Sequence, residues 1–229
     1  MQLKLNNVYM ADCLEAIGAV PDHSIKTIIA DPPYFMGMTH NGHKGAFVDL
    51  QICKPFYRQL AQEMARVLKD TGEFYIFSDW RGYAFYYPIF ADYLPVKNMI
   101  VWDKMSGPGS YYSSAHELII YGCMSGEIKK HDTNVWRMKS FTSGARQEDG
   151  EKIHPAQKPV ALIQRMIEDS TQPGDTVLDP FMGSGTTAIA AMRSGRNWIG
   201  FEVDEAHFIE AQERIAGELR KAAGGAGNE

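Results

Sequence analysis

Thr176-Val177-Leu178-Asp179-Pro180-Phe181-Met182-Gly183-Ser184-Gly185-Thr186 passes from a short apolar run, through a turn of small residues, into an Ala-rich segment. The reading is strand (Thr176–Leu178), glycine turn, helix (Ser184–Arg193). Glycines let a backbone approach a ligand closely. A helix N-terminus favours an anionic group, a carboxylate as readily as a phosphate. Glu202 closes the next strand, Trp198–Phe201, where α/β nucleotide-binding domains place an acid for ribose hydroxyls. The turn lacks the third glycine of a dinucleotide site and the lysine of a phosphate loop. Asp179 beside it would repel a phosphate and suits an ammonium. S-adenosylmethionine carries an ammonium, a carboxylate and a ribose, and matches this set.

Outward from this stretch, short apolar strands alternate with longer helical segments, the pattern of an α/β domain with a mostly parallel sheet. Thr27–Ala30 is a β-branched run stopped by Asp31-Pro32-Pro33, because proline cannot join a central ladder. Ile52, Phe56, Leu60, Met64 and Leu68 recur every four residues and predict a helix over Gln51–Leu68. Asp70-Thr71-Gly72 reads as its stop. Phe74–Phe77, Val96–Trp102 and Leu118–Tyr121 read as strands, the last two as an antiparallel edge. Gly107–Ser110 reads as a loop. Pro159 opens a helix to Ser170. Asp204 caps a last helix carrying Phe208, Ala211, Ile215 and Leu219. The Gly-rich tail, Lys221–Glu229, is expected to fray.

The chain has 229 residues, 45% hydrophobic and 22% charged, which suits one domain over 1–229 with a substantial core. The net charge of -5 excludes a wholly basic nucleic-acid coat but leaves room for a local basic face. Cys13, Cys53 and Cys123 form no C-x-x-C pair, which speaks against zinc and disulfides and for free thiols in a reducing cytoplasm. The N-terminus has no apolar signal core, and no stretch approaches the roughly 20 apolar residues of a membrane span. His40 and His43 have no third ligand at metal-binding spacing, so no metal site is expected.

Asp31-Pro32-Pro33-Tyr34 directly follows a strand. Two prolines stiffen the corner and fix the direction of its carbonyls. A carboxylate and a fixed carbonyl together accept both hydrogens of an NH2 group, while a neighbouring ring stacks on the base that bears it. The corner is therefore suited to orienting an exocyclic amine for attack on a sulfonium methyl.

With both motifs in one chain, the sequence resembles the β-group of amino DNA methyltransferases, which methylate adenine N6 or cytosine N4. Their catalytic motif is (Asp/Asn/Ser)-Pro-Pro-(Tyr/Phe/Trp), and here it precedes the cofactor motif, as in that permuted group. The resemblance covers nearly the whole chain and implies the class I S-adenosylmethionine-dependent methyltransferase fold, with helices on both faces of a twisted sheet. It implies catalytic roles for Asp31, Pro32, Pro33 and Tyr34. It implies cofactor contacts from Asp179, Phe181, Gly183, Ser184, Gly185, Thr186 and Glu202. Asp12-Cys13, in Ala11–Leu14, is similar to the family's acidic motif near the cofactor adenine; a helix N-cap is the competing reading of Asp12. His154 and Lys158, in His154-Pro155-Ala156-Gln157-Lys158-Pro159, are similar to the stretch beside the cofactor.

The family's chemistry flips a base out of double-stranded DNA and transfers the methyl by direct displacement, with no metal or covalent intermediate. Asp at the first motif position goes with adenine and Ser with cytosine N4, an association within the family. Residues 125–153 lie where the family carries target recognition. Lys129, Lys130, Arg137, Lys139 and Arg146, with Trp136 and Phe141 between them, are the candidate DNA contacts; a solvated loop is the competing reading. Met36–Phe47 reads as a loop over the flipped base or a plain connector. A bacterial or phage origin, a role in restriction-modification and a homodimer are further expectations from the family. The alternatives are cytosine-N4 methylation, an RNA or protein substrate, and a non-catalytic DNA-binding adapter.

Overall fold

Ile28 and Ile29 are sequence neighbours on one strand, yet they are buried in different apolar cores. The computed structural model, which describes residues 2–33, 39–40, 43–44, 50–109, 111–126, 132–140 and 157–225, is organised by that alternation. Strand Ile25–Ala30 (β2) lies mid-sheet, parallel to Leu68–Ser78 (β5) on one side and Thr176–Asp179 (β9) on the other. Leu178, Phe74 and Ile76 join Ile28 in the first core; Val177, Tyr75 and Phe77 join Ile29 in the second. Helices Cys13–Ile17 (α1), Leu50–Val67 (α2) and Trp80–Ala91 (α3) cover the first core. Helices Val160–Ser170 (α4), Thr186–Arg193 (α5) and Glu205–Gly225 (α6) cover the second. Apolar residues on both pleat faces are what a sheet sandwiched between helices requires.

Asn7–Met10 (β1) and Asn197–Glu202 (β10) extend the sheet beyond β9. Val96–Asp103 (β6), His116–Cys123 (β7) and Val135–Arg137 (β8) extend it beyond β5. The eight strands run in the order β1-β10-β9-β2-β5-β7-β6-β8. Only β7 opposes its neighbours in this sheet. A separate hairpin pairs Thr39–His40 (β3) with His43–Lys44 (β4); most of the Met36–Phe47 loop lies outside the described residues.

Several elements differ from the sequence reading. Asp70-Thr71-Gly72 is not a helix stop: α2 ends at Val67 and β5 begins at Leu68. Ile25 pairs with Leu68 but Thr27 with Glu73, so β5 bulges through the segment read as a turn. Gly72 sits at the tightest point, where a Cβ would lie 2.8 Å from both Leu68 Cδ2 and the Lys69 carbonyl oxygen. The antiparallel β6–β7 pair is present but is not the edge, because β8 adds in parallel beyond β6. Pro159 is the N-cap of α4 and not its first residue, and Gly185, at φ +81°, is the N-cap of α5. The supposed fraying tail is helical to Gly225.

Candidate active site

Because β1, β10, β9, β2, β5 and β6 are parallel, their carboxyl ends share one edge, where open α/β sheets take their ligands. Asp179 ends β9, Glu202 ends β10, Asp31 follows β2, and Ser78-Asp79 follow the same course at β5. Since β7 runs the other way, its first residues, His116 and Glu117, reach this edge as well.

The glycine turn is held by the acids beside it. Asp179 accepts the Phe181 N–H at 2.9 Å and the Thr187 hydroxyl at 2.5 Å. Glu202 accepts the Gly183 N–H at 2.7 Å and, through its other oxygen, the Asp204 N–H at 2.9 Å. Gly183 adopts φ +51°, which disfavours any side chain. Arg214, from α6, donates to the Ser184 carbonyl at 3.2 Å and to the Thr186 hydroxyl at 2.8 Å. Burial first, then the charges of Asp31 and Glu202, push the Asp179 carboxyl up to about 7 against the opposing hydrogen bonds. A buried acid so poised is matched by a cationic ligand group.

Asp12 caps α1, accepting the Leu14 N–H at 2.8 Å. Its capping role is therefore real, and its backbone neighbour Ala11 bonds to the Glu202 carbonyl at 2.9 Å, beside the turn. Burial and then the Asp12 charge push the Cys13 thiol up to about 12, so it is a packed, protonated group.

The proline corner is fixed from beneath. Tyr86, buried in α3, donates its hydroxyl to the Pro33 carbonyl at 3.1 Å and lies 3.3 Å from the Tyr57 hydroxyl of α2. Pro32 is buried and Pro33 exposed. Asp31 Oδ2 is 2.7 Å from the Lys158 ammonium, which is also 3.3 Å from Glu117 Oε2. Glu117 Oε1 in turn meets Lys104 at 3.2 Å. Burial would lower the Lys158 ammonium, but Asp31 and then Glu117 outweigh it and hold it above its ordinary value. Burial would raise Glu117, but Lys158 and then Lys104 hold it below the usual carboxylate range.

Among the expected residues, Asp31, Asp179, Glu202 and the glycine turn share one edge. Lys158 lies against Asp31. Tyr34, His154, Lys129, Lys130 and Arg146 lie outside the described residues. Arg137, on β8, pairs with Asp103 at 3.1 Å and remains exposed, as does Lys139. Trp136 is not a surface aromatic: it is buried in the second core, its ring N–H donates to the Thr133 carbonyl, and Arg165 stacks on it. Tyr86, Glu117, Lys104 and Arg214 escaped sequence reading. Each acts across 28 or more residues of chain or through a partner found only in three dimensions, so no local pattern marks them.

A family model described as DNA methylase matches residues 25–213. The type II methyltransferase M.HinfI of Haemophilus influenzae is 30% identical over 92% of this chain and 68% of its own length. The type II methyltransferase M2.MboI of Moraxella bovis is 30% identical over 91% of this chain and 86% of its own. Among solved structures, the cytosine-N4-specific PvuII DNA methyltransferase superposes with a TM-score of 0.74 at 18% identity, covering 93% of this chain and 87% of that one. M1.HpyAVI, solved with S-adenosylmethionine, superposes at 0.67 with 24% identity, covering 91% and 98%. The chain belongs to the N6/N4 DNA methylase family.

Proposed function

We propose that this protein transfers a methyl group from S-adenosylmethionine to the N6 amino group of adenine flipped out of double-stranded DNA. The observation that carries the reading is the Asp31 carboxylate, on the same sheet edge as Asp179 and Glu202 and near enough for its charge to bear on Asp179. The choice of adenine rests on Asp at the first motif position.

The residues present fit the methyl donor. Asp179 would meet the ammonium and Glu202 the ribose, while the turn would meet the carboxylate through Ser184 and Thr186, because the Gly183 and Gly185 N–H groups already donate to Glu202 and to the Met182 carbonyl. Phe181, Asp12 and Cys13 line the remainder, with His154 assigned by its motif alone. Gly200 keeps the floor open for Met182: a Cβ there would fall 1.9 Å from Met182 Cε. When bound, S-adenosylmethionine supplies a sulfonium methyl, whose carbon bonds to the amine nitrogen as the carbon–sulfur bond breaks and sulfur keeps the electron pair.

The chain's own contribution is positioning. Asp31 and the Pro32 carbonyl accept the two amino hydrogens, which turns the nitrogen lone pair out of conjugation with the ring. Tyr86, by holding the Pro33 carbonyl, fixes the corner on which both acceptors sit. Tyr34 stacks on the base. The methylated amine then gives one proton to the Asp31 carboxylate, which returns it to solvent.

Residues 125–153 serve target recognition, with Arg137 and Lys139, and by sequence position Lys129, Lys130 and Arg146, meeting phosphate or base edges. A second set of groups favours a base-bearing polymer. Tyr111 is 97% exposed and Tyr112 92%, on the β6–β7 loop at the same edge as Asp31. Trp80, 65% exposed with Arg81 stacked on it, follows β5 there. Exposed rings beside cations are suited to stacking on bases.

The test is incubation with unmethylated DNA and methyl-labelled S-adenosylmethionine, followed by digestion to nucleosides. Label in N6-methyladenine, lost in Asp31→Ala, is expected. Label in N4-methylcytosine would keep the chemistry and overturn the base. Absence of label on DNA would overturn the reading.

A further inference from the structure

Lys158 sits on no strand end, yet its ammonium is closer to the Asp31 carboxylate than a typical neutral hydrogen bond. Its side chain is only 8% exposed, and the ammonium also lies 5.0 Å from the Phe77 ring centroid. Burying an ammonium costs several kcal/mol unless opposite charges compensate. Here the compensation is built from separate elements. Asp31 follows β2, Glu117 belongs to β7, and Lys104 follows β6. The order Asp31–Lys158–Glu117–Lys104 alternates in sign. The same sheet edge carries further carboxylates: Asp79 after β5, Asp179 on β9 and Glu202 on β10, with the Tyr86 phenol below. Such a concentration of acids calls for a cation beside Asp31, and Lys158 supplies it.

We infer that Lys158 is a positioning residue for Asp31: it anchors Oδ2 and holds the carboxylate in the ionised pose that accepts the target amine, while Glu117 and Lys104 set the strength of that anchor. The inference rests on the reading of Asp31 as the amine acceptor. It moves Lys158 from the cofactor, where motif resemblance put it, to the reacting base. A protonated Asp31 would present a hydroxyl donor to an amine that is itself a donor. A carboxylate without its anchor would rotate among poses. Either change slows the chemical step and leaves binding of the methyl donor alone.

The test uses the full chain, with single-turnover methyl transfer followed against pH and S-adenosylmethionine affinity measured by calorimetry. Lys158→Met is expected to lower the neutral-pH rate about 50-fold or more. Its acid limb should move up by about one pH unit, because Asp31 loses an opposite charge. Affinity for S-adenosylmethionine should stay within about threefold, a change under 1 kcal/mol. Lys158→Arg should restore most of the rate. Glu117→Gln should move the acid limb the opposite way, because it removes a negative charge beside the pair. A purely structural role would not give opposed shifts. If Lys158→Met does not fold, Lys158→Arg and Glu117→Gln decide, and an acid limb unmoved in Glu117→Gln overturns the inference. A wild-type rate in Lys158→Met, or a loss lying wholly in S-adenosylmethionine affinity, also overturns it. Asp31→Ala, which removes the acceptor altogether, separates the two levels. Full activity there removes the reading of Asp31 itself, whereas inactivity there with a wild-type Lys158→Met removes only the inference.

Discussion

Glu202 accepts the Gly183 N–H at 2.7 Å, so the acid that ends β10 and the turn that follows β9 form one unit. Its second oxygen is bound to the Asp204 N–H, which ties the start of α6 to the same carboxylate. Glu202 is thus a brace for the glycine turn as well as the acid proposed to face the ribose. Glu202→Gln turns an NH2 toward one of the two backbone donors. S-adenosylmethionine affinity should therefore fall about 10- to 100-fold, the loss of one or two hydrogen bonds to a charged acceptor. Calorimetry decides it, and unchanged affinity would remove both roles.

Asp179 gives the binding step a pH dependence with a definite sign. The free protein holds this carboxyl at about 7, and pairing with an ammonium requires the ionised form. Binding then releases a proton below pH 7. Affinity should weaken about tenfold for each pH unit below 7 and level off above it. The folded-state value lies above the ordinary aspartate value, so ionisation opposes folding: stability falls as pH rises toward 7. Asp179→Asn should flatten the affinity profile. Without ligand, it should raise the melting temperature relative to the native chain more at pH 8 than at pH 5. A native affinity profile flat from pH 5.5 to 8 contradicts the assignment.

Tyr86 tests the proline corner without touching its acceptors. Tyr86→Phe removes the hydroxyl that bonds the Pro33 carbonyl and leaves the ring packed against Tyr57 and Phe90. The loss should be about 1 kcal/mol of stability. The maximal methylation rate should drop several-fold while the affinity for S-adenosylmethionine stays unchanged. A drop in affinity with an intact rate would mean that the hydroxyl serves the cofactor side.

Local chemistry explains what was legible in the sequence. Gly183 and Gly185 permit positive φ and Pro32 and Pro33 fix φ, each by its own chemistry, so the turn and the corner could be placed from the sequence alone. The α2 stripe was legible because a single helix face repeats every four residues. β1 and β8 were not, being four and three residues long with mixed exposure. α3 was hidden by Gly82 and Pro88 among aromatics, residues that read against a helix until Asp79 is seen capping it through the Gly82 N–H. Lys158 shows the deeper limit. Its motif was recognised, but the partner it meets lies 127 positions earlier, and only the sheet order brings the two together.

The loop joining β6 to β7 offers the most direct test of how DNA is met. Its described residues are tied by the Lys104 N–H to the Ala115 carbonyl at 2.7 Å and the Ser114 N–H to the Pro108 carbonyl at 2.8 Å. Gly107 and Gly109 are required there, since a Cβ would fall 2.2 Å from the Ser114 oxygen and 1.9 Å from the Tyr112 oxygen. A loop this constrained presents Tyr111 and Tyr112 without a large ordering cost on binding. Its root, Lys104, reaches Asp31 through Glu117 and Lys158, so the rings stand beside the reacting edge. Stacking on a base contributes about 1–3 kcal/mol per ring. The Tyr111→Ala/Tyr112→Ala double variant should therefore weaken DNA binding about 10-fold or more, with an unchanged affinity for S-adenosylmethionine and an unchanged melting temperature. Because stacking is not an ionic contact, the slope of log affinity against log salt should stay the same, whereas Arg137→Ala should make it shallower. Titration of labelled duplex at several salt concentrations separates the two. Native DNA affinity in the double tyrosine variant would assign the rings some other partner than the substrate.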